Sequence, residues 1–321
     1  MNNGKSLSGN KKATSKNMKA FQDYLNMLKV KGGKPINLKK DFHTDYDHKM
    51  FSKEEGENLL KIGLDRIALL QDKLYAHNEY SMLIVLQAMD AAGKDGAIKH
   101  VMKGLNPSGV KVHSFKAPSS TELEHDYFWR HYKTLPARGE IGIFNRSHYE
   151  EVLVTRVHPE YVVGQKIPGI ESVKDIRKSF WKSRYDQINR FEKNLAENGT
   201  IILKFFLHVS KEEQTKRLLD RIDDPSKNWK FDLGDMRERQ YWDQYQEAYA
   251  NMLSATSTEY APWYVLPADD KWFTRLCLAG VMYYEFEQLK IHYPKVSAEM
   301  KAKLQEARLE LLAQKKSNKE P

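Results

Sequence analysis

The chain has 321 residues, of which 40% are hydrophobic and 30% are charged. This composition is typical of a globular protein, and no apolar run approaches the ~18 residues of a membrane-spanning helix, so no membrane partner is expected. The single cysteine, Cys277, excludes an intramolecular disulfide and a cysteine-rich metal site, and it favours a cytoplasmic location.

The net charge of +9 is concentrated at the two ends of the chain. Residues 1–20 contain five lysines and no acidic residue, and residues 315–321 contain three lysines and one glutamate. We therefore predict a basic, disordered extension over residues 1–30, a single domain over residues 31–294, and a C-terminal helix with a basic tail over residues 295–321. The nearly neutral body argues against nucleic acid as a partner.

Segments with strand and helix patterns alternate along the domain. Apolar residues at helical spacing predict helices over residues 18–30 and 53–77. Short apolar or alternating runs predict five strands, at residues 82–87, 110–115, 140–145, 201–209 and 263–266. The segments between the strands predict helices, at residues 96–105, 119–132, 146–157, 173–198, 210–221 and 235–256. Because strands that alternate with helices form right-handed crossovers, the pattern predicts an α/β fold with a five-stranded, parallel, doubly wound sheet.

The first predicted strand leads into LQAMDAAGKDG (86–96), which is close to the phosphate-loop pattern G-x-x-x-x-G-K-[ST] but departs from it at Ala88 and Asp95. Ligands of doubly wound sheets bind where strands end, and amides at a helix start attract anions. Lys94 is predicted to bridge two phosphates, and Asp90 is a suitable magnesium ligand. The predicted phosphate-binding residues of the loop are Ala92, Gly93, Asp95 and Gly96. The alternative is a strand–turn–helix corner without a ligand.

Two lysines, Lys99 and Lys103, stand four residues apart beyond the loop. Like charges at this helical spacing repel unless an anion lies between them, so the pair predicts an anion-binding face. A solvated basic face is the alternative.

The segment FNRSHYEE (144–151) follows the third predicted strand. Arg146 is predicted to contact phosphate in a bidentate way, and Asn145 stands where many nucleotide-binding enzymes place a magnesium-binding aspartate. Glu150 and Glu151 follow one turn into the predicted helix. A helix cap would explain the acidic residues but not Arg146, because the helix dipole disfavours a cation there.

Arg217 and Arg221 lie near the end of a predicted helix, before the polar loop at residues 223–231. The arrangement predicts a lid around residues 217–240, and cations that stabilise a helix C-terminus are the alternative. A separate cluster of potential metal ligands consists of His43, Asp45, Asp47 and His48. Nothing else in the sequence supports a metal site there.

In combination, these segments resemble the type-2 polyphosphate kinase family. The matching motifs occur in the family's order over roughly residues 35–292, and they are LQAMDAAGKDG (86–96), GLNPSGV (104–110), FNRSHYEEVLV (144–154) and STEYAPWYVLPADDKW (257–272). The family's loop has the pattern G-x-D-x-x-G-K, so Asp90 is its expected acid and Asp95 is normal after the lysine.

The resemblance implies a three-layer P-loop kinase fold similar to that of thymidylate kinase, with a helical lid. It implies reversible, magnesium-dependent phosphoryl transfer from inorganic polyphosphate to nucleotides, with Mn²⁺ as an alternative cation, and it suggests a homo-oligomer. Glu150 resembles the acid of the class III subgroup, which phosphorylates both nucleoside monophosphates and diphosphates. The expected substrates are therefore AMP, ADP and ATP, with guanine nucleotides as further ones.

The resemblance and the residue chemistry together assign roles to side chains. Asp90, Lys94, Arg146 and Glu150 are the predicted catalytic residues, and the predicted metal ligands are Asp90, Glu150 and Glu151. A basic channel for the polyphosphate chain is predicted from Lys99, Lys103, Lys178 and Arg184. Nucleotide and lid contacts are predicted for Asn145, Arg217 and Arg221. The alternative function is an ATP-dependent nucleoside monophosphate kinase, which prefers Ser or Thr where Asp95 stands.

Overall fold

The computed structural model describes residues 18–47 and 49–317, so the predictions for residues 1–17, His48 and residues 318–321 lie outside the described residues. Its centre is a five-stranded sheet in the order β2-β3-β1-β4-β5, with every neighbouring pair parallel. The predicted α/β fold with a doubly wound sheet is confirmed. The strands are β1 (Ser81–Ala88), β2 (Val110–Ser114), β3 (Ile141–Asn145), β4 (Thr200–His208) and β5 (Trp263–Pro267).

Helices cover both faces of this sheet, which explains why all eight residues of β1 are buried. The helices of the first half are α1 (18–27), α2 (Leu38–Asp41), α3 (Lys53–His77), α4 (Lys94–Val101), α5 (Ser120–Leu123), α6 (Trp129–Tyr132), α7 (Val154–Val157) and α8 (Glu160–Val163). Those of the second half are α9 (Lys178–Glu197), α10 (Lys211–Asp223), α11 (Leu233–Glu238), α12 (Trp242–Thr256), α13 (Lys271–Gln288) and α14 (Ala298–Ser317). Short 3-10 turns lie at Pro107–Gly109, His148–Val152, Val173–Asp175, Asn228–Lys230 and Arg239–Tyr241.

The two helical layers follow from the direction of the crossovers. The connection through α4 runs from β1 to β2, and the connection through α9 runs from β3 to β4 in the opposite direction across the sheet. Right-handed crossovers of opposite direction put their helices on opposite faces. The packing agrees, because α4 and α3 contact α13, whereas α9 contacts α12.

The predicted N-terminal extension is partly wrong. Residues 18–27 form α1, which buries Phe21 and Leu25 against Gly280 of α13, where an added Cβ would lie 2.8 Å from the Leu25 side chain. The chain then pairs with the edge of the sheet, since the Val30 amide donates to the Trp263 carbonyl and the Val265 amide donates to the Leu28 carbonyl, both at 2.9 Å. Residues 18–30 therefore belong to the domain.

Two other predicted helices are interrupted. Residues 146–157 do not form one helix because Arg146 has a left-handed φ of 61° and Leu153 has φ −113° and ψ −86°, which leaves a 3-10 turn followed by α7. Residues 235–256 are divided by a 3-10 turn into α11 and α12. The helix predicted over 119–132 is likewise two short helices, although its capping box at Ser119 and Glu122 is present.

Candidate active site

The loop between β1 and α4 is shaped for an anion. Ala91 has φ 58° and Gly93 has φ 105°, so successive peptide groups turn their amides toward one side. Gly93 is the N-cap of α4, and no side chain caps the helix start. The first amides of α4 thus remain available to a ligand, in the position where a helix attracts negative charge. Ala92, Gly93, Asp95 and Gly96 all lie on this corner, as predicted from the sequence.

The carbonyl side of the loop is held by Arg217, which is only 5% exposed. Turning the amides toward a ligand leaves carbonyl groups pointing inward, and buried carbonyls require donors. Arg217 supplies them with five hydrogen bonds, to the carbonyls of Ala91 (3.2 Å), Ala92 (2.7 Å), Ala268 (2.6 Å) and Asp269 (3.0 Å) and to the Glu213 carboxylate (2.8 Å). The expectation that Arg217 closes over a nucleotide does not fit this arrangement, because its donors are engaged behind the loop.

Lys94 stands at the start of α4 and donates from its Nζ to the Ala88 carbonyl at 2.9 Å. Burial and the positive charge of Arg146 lower the pKa of Lys94, while the charges of Asp90, Glu150 and Asp95 oppose that shift. The ammonium therefore lies in a partly desolvated group of charges, where a phosphate would be a stronger partner than a carbonyl.

Arg146 reaches this group from the end of β3. Its backbone amide donates to the Leu86 carbonyl at 3.1 Å, which fixes the two strand ends side by side. Its Nη2 donates to the Asp90 carboxylate at 2.9 Å. Glu150, from the following 3-10 turn, has a raised pKa because it is buried, although the charges of Arg146 and Lys94 counteract the increase. The four predicted catalytic residues, Asp90, Lys94, Arg146 and Glu150, thus lie together.

Asp235 of α11 is a site residue that sequence reasoning missed. It faces Asp90 and Arg146 from α11, and its pKa is raised to about 6 by burial and by the charge of Asp90. Arg221 Nη1 donates to its carboxylate at 3.0 Å. The residue lies 145 positions from Asp90 in the sequence, and no local pattern marks it, so only the folded chain reveals the pairing.

Asp235→Asn is expected to raise the Tm of the ligand-free protein at neutral pH. The pKa of Asp235 rises from an ordinary 3.8 to about 6 on folding, so the ionised carboxylate destabilises the fold above pH about 6. Below pH about 4 the carboxyl is protonated in both states, and the advantage of the variant should disappear. Thermal unfolding in a chelator between pH 4 and 8 measures this, with Asp243→Asn on the exposed face of α12 as the control. A Tm gain that does not change with pH would contradict the assignment.

Glu151 points away from the loop charges. It is buried, and its Oε2 accepts from Gln165 Nε2 at 2.5 Å and from Arg184 Nη1 at 3.4 Å. Arg184 also donates to Gln165 Oε1 at 2.5 Å and covers the ring of Tyr127 at 4.2 Å. These contacts commit Glu151 and Arg184 to each other, which leaves Asp90 and Glu150 as the predicted metal ligands beside the loop.

Two cavities share Glu151 and Gln165 in their linings. The larger, about 500 Å³, extends from Asp90, Arg146 and Asp235 past Phe115 and Tyr161. The smaller, about 370 Å³, continues beyond Gln165 and is lined by Tyr127 and Phe180. The larger cavity has charged side chains at one end, and the smaller cavity has aromatic walls. Cavities of this size and lining suit a phosphorylated molecule with a flat ring system.

The four residues predicted to line one basic channel are not brought together. Lys99 lies on α4 and Lys103 in the turn after it, both exposed, whereas Lys178 and Arg184 belong to α9 on the opposite face of the sheet. Asn145 donates to the Asp95 carboxylate at 2.7 Å and so links the end of β3 to α4. Near the loop, the cations that sequence reasoning missed are Lys271 and Arg275 of α13, the second of which lies beside Gly96.

The carboxylates fit a hard divalent cation. The described residues contain no cluster of three or more acidic, histidine or cysteine side chains in metal-binding geometry. Mg²⁺ is commonly held by one or two carboxylates together with substrate phosphates and water. Asp90 with Glu150 or Asp235 would supply that number of carboxylates. Asp90 is half-buried and is paired with Arg146. A cation bound between Asp90 and Asp235 would relieve the repulsion between their two negative charges.

Comparison with known proteins identifies a family. Residues 50–294 match the family Polyphosphate kinase 2 (PPK2). The chain is 49% identical over 285 residues to the ADP-polyphosphate phosphotransferase of Rhodopseudomonas palustris, covering 89% of this chain and 97% of that protein. It is 48% identical over 229 residues to the AMP/ADP-polyphosphate phosphotransferase of Meiothermus ruber, covering 71% and 80%. 

A solved structure gives the same result for the fold. The crystal structure of Polyphosphate Kinase 2 from Arthrobacter aurescens TC1 matches with a TM-score of 0.76 and 38% identity, over 87% of this chain and 95% of that chain. The predicted P-loop kinase fold is therefore confirmed. No described helix is both long and apolar enough to span a membrane. On the family match and these relatives, the chain belongs to the polyphosphate kinase 2 family.

Proposed function

We propose that this protein transfers phosphoryl groups from inorganic polyphosphate to nucleotides, converting AMP to ADP and ADP to ATP, in a reversible reaction that requires magnesium. The observation that carries the proposal is the group of Asp90, Lys94, Arg146 and Glu150 beside the uncapped start of α4. Relatives named for the use of AMP and ADP support the choice of acceptor.

The reaction needs little acid–base chemistry. The acceptor is a phosphate oxygen that is already ionised at neutral pH, so its attack forms a new P–O bond without removal of a proton. The bridging P–O bond to the rest of the chain breaks, and the polyphosphate leaves one phosphate shorter. The protein's task is to align donor and acceptor and to neutralise charge in the transition state. Lys94, Arg146 and the α4 amides are placed for that task.

Magnesium would be held by Asp90 with Glu150 or Asp235, and when bound it supplies positive charge to the phosphate oxygens. Arg146, which donates to Asp90 here, would be free to contact a phosphate oxygen when Asp90 holds the cation. Manganese is the alternative cation. The lid helix α11 excludes water and is fastened by Arg221 to Asp235 at 3.0 Å and by His158 to Glu238 at 2.9 Å.

The nucleoside is assigned to these two neighbouring cavities, with the base near the aromatic walls and the phosphates at Arg146. Glu151 and Gln165 line both cavities and Arg184 lines the smaller one, so these side chains are assigned to the ribose or base. The basic side chains on the other side of the loop, Lys99, Lys103, Lys271 and Arg275, are assigned to the polyphosphate. A homo-oligomeric state and a cytoplasmic location remain predictions, as does the use of guanine nucleotides.

The test is to mix the protein with Mg²⁺, polyphosphate and AMP in the absence of ATP, and to resolve the nucleotides over time. We expect ADP first and ATP later. Glu150→Gln is expected to lower AMP phosphorylation at least about 10-fold, because a charged carboxylate beside Lys94 and Arg146 is replaced by a neutral amide. Glu124→Gln, at an exposed glutamate paired with Lys166, is the control.

Each other outcome has a definite meaning. ATP formed only when ADP is supplied would retain polyphosphate as the donor but reject AMP as an acceptor. Phosphorylation of AMP only when ATP replaces polyphosphate would overturn the proposal in favour of an ATP-dependent nucleoside monophosphate kinase.

A further inference from the structure

A fully buried ion pair lies beneath the candidate active site. Lys204 of β4 and Glu192 of α9 are both 0% exposed, and Lys204 Nζ lies 2.6 Å from Glu192 Oε2. Lys204 uses its other two donors on the Tyr149 hydroxyl and the Thr256 carbonyl, each at 2.7 Å. The Tyr149 hydroxyl donates to Glu192 Oε1 at 2.7 Å, and His148 Nε2 lies 3.3 Å from the same oxygen. The network therefore satisfies all three protons of the ammonium and both oxygens of the carboxylate.

Net stability does not explain this network. Taking two charges out of water costs about as much as their attraction returns, and well-packed apolar replacements are often neutral or stabilising. The cost is evident in the ammonium, since burial lowers the pKa of Lys204 to about 8 despite the opposing charge of Glu192. In some proteins, buried polar or ionic groups instead fix a unique local conformation.

The conformation that the buried pair can fix here is that of the turn that contains Arg146 and Glu150. Arg146 has φ 61°, a left-handed conformation that is costly for a residue with a side chain and persists only where neighbouring contacts enforce it. The next three residues supply those contacts. Ser147 accepts from Gln87 Nε2 at 3.1 Å, while His148 and Tyr149 reach the buried pair.

The segment therefore has two faces with separate tasks. Arg146 and Glu150 point to the cavity, whereas Ser147, His148 and Tyr149 point inward and are 0% exposed. The inward side chains bond to elements from distant parts of the chain, namely β1, α9 and β4. Any displacement of the inner face moves the outer face with it, because Ser147 directly follows Arg146 in the chain and Tyr149 directly precedes Glu150.

We propose that the Glu192–Lys204 pair and Tyr149 are positioning residues, which hold the turn so that Arg146 and Glu150 meet the transferring phosphate. This inference rests on the proposed phosphotransferase function. None of the three contacts the substrate, so their effect on the reaction passes through the backbone of the turn. A displacement of about 1 Å at such a site lowers the rate by up to about 100-fold.

The first test is Tyr149→Phe, which keeps the ring packed on Trp263 and leaves the ion pair in place. The matched control is Tyr264→Phe in β5, which also loses a hydrogen bond from tyrosine to a glutamate, here Glu285 at 2.9 Å, but lies away from the turn. Measured well below the Tm of both, kcat should fall at least about 3-fold in Tyr149→Phe and stay unchanged in the control, with KM for ADP little affected in either.

The second test removes the buried ion pair and the Tyr149 hydroxyl together in a Tyr149→Phe, Glu192→Leu, Lys204→Met protein. An apolar replacement should recover most of the Tm that Lys204→Met alone loses, because no unpaired buried charge remains. We expect kcat to stay about 10- to 100-fold below wild type in this recovered protein. Wild-type kcat in both the triple variant and Tyr149→Phe would overturn the proposal, and if the triple variant does not fold, Tyr149→Phe decides alone.

The wild-type assay separates this inference from the proposed function. If wild-type protein transfers no phosphate from polyphosphate, the proposed function fails first. The positioning role is then tested by amide hydrogen exchange of residues 146–150, which should be faster in Tyr149→Phe than in Tyr264→Phe because the turn is held less firmly. Equal exchange in the two variants would contradict it.

Discussion

Replacing Lys94 with methionine is expected to lower kcat about 100- to 1000-fold, the effect of removing one charged group that stabilises a transition state. Methionine keeps the length and apolar contacts of the side chain but removes the ammonium. Fold stability should change little, because Nζ makes one hydrogen bond, to the Ala88 carbonyl, and its pKa is lowered by burial and by Arg146. Initial rates of ATP formation from ADP and polyphosphate, with Tm as a check, measure this.

Lys193→Met is the control for Lys94→Met. Lys193 is an exposed lysine of α9 that forms a surface pair with Glu197, so its loss should leave kcat unchanged. Full activity of Lys94→Met at saturating substrate would remove Lys94 from the catalytic group and weaken the assignment of the whole loop.

Arg217→Met is expected to lower both the Tm and kcat, although Arg217 does not reach the cavity. Its loss leaves four backbone carbonyls and the Glu213 carboxylate without their donor, and each unsatisfied buried group costs about 1–3 kcal/mol. The loop would relax toward conformations that turn its amides away from phosphate. We expect kcat to fall about 100-fold even at temperatures where the variant is fully folded.

Arg217→Lys distinguishes charge from geometry. A single ammonium has three donors and no planar fork, so it cannot reach carbonyls on both the loop and the segment after β5. We expect kcat in this variant to remain near that of Arg217→Met, while Arg190→Met on the exposed face of α9 behaves as wild type. Recovery of wild-type kcat by lysine would show that only a positive charge is needed behind the loop.

The fold was largely predictable because its strongest signals are local. The β1 run MLIVLQ and the capping box of Ser119 act through contacts within a few residues, and the strands appear where they were expected. The interrupted helix after Arg146 was not predictable, because its left-handed φ is enforced by Gln87, Glu192 and Lys204 from other parts of the chain.

The candidate site divides in the same way. Asp90, Lys94, Arg146 and Glu150 were predicted because they follow strand ends that share one edge of the sheet. The position of Asp235 depends on where α11 packs against the rest of the domain, which no local pattern encodes. Arg217 was predicted to contact the nucleotide, but its side chain bonds to carbonyls behind the loop. Spacing along a helix does not show which elements that helix will pack against.

The pairing of residues 28–30 with β5 bears on how copies of this chain can associate. A bare edge strand invites another chain to extend the sheet, and here the free side of β5 is already occupied by the chain's own N-terminal segment. At the other border, β2 is only five residues long and presents Lys111, which is bound to Glu140 at 2.8 Å. Strand-to-strand joining is thus disfavoured at both borders, so a stable assembly of this protein has to form through the side chains of its helices and loops.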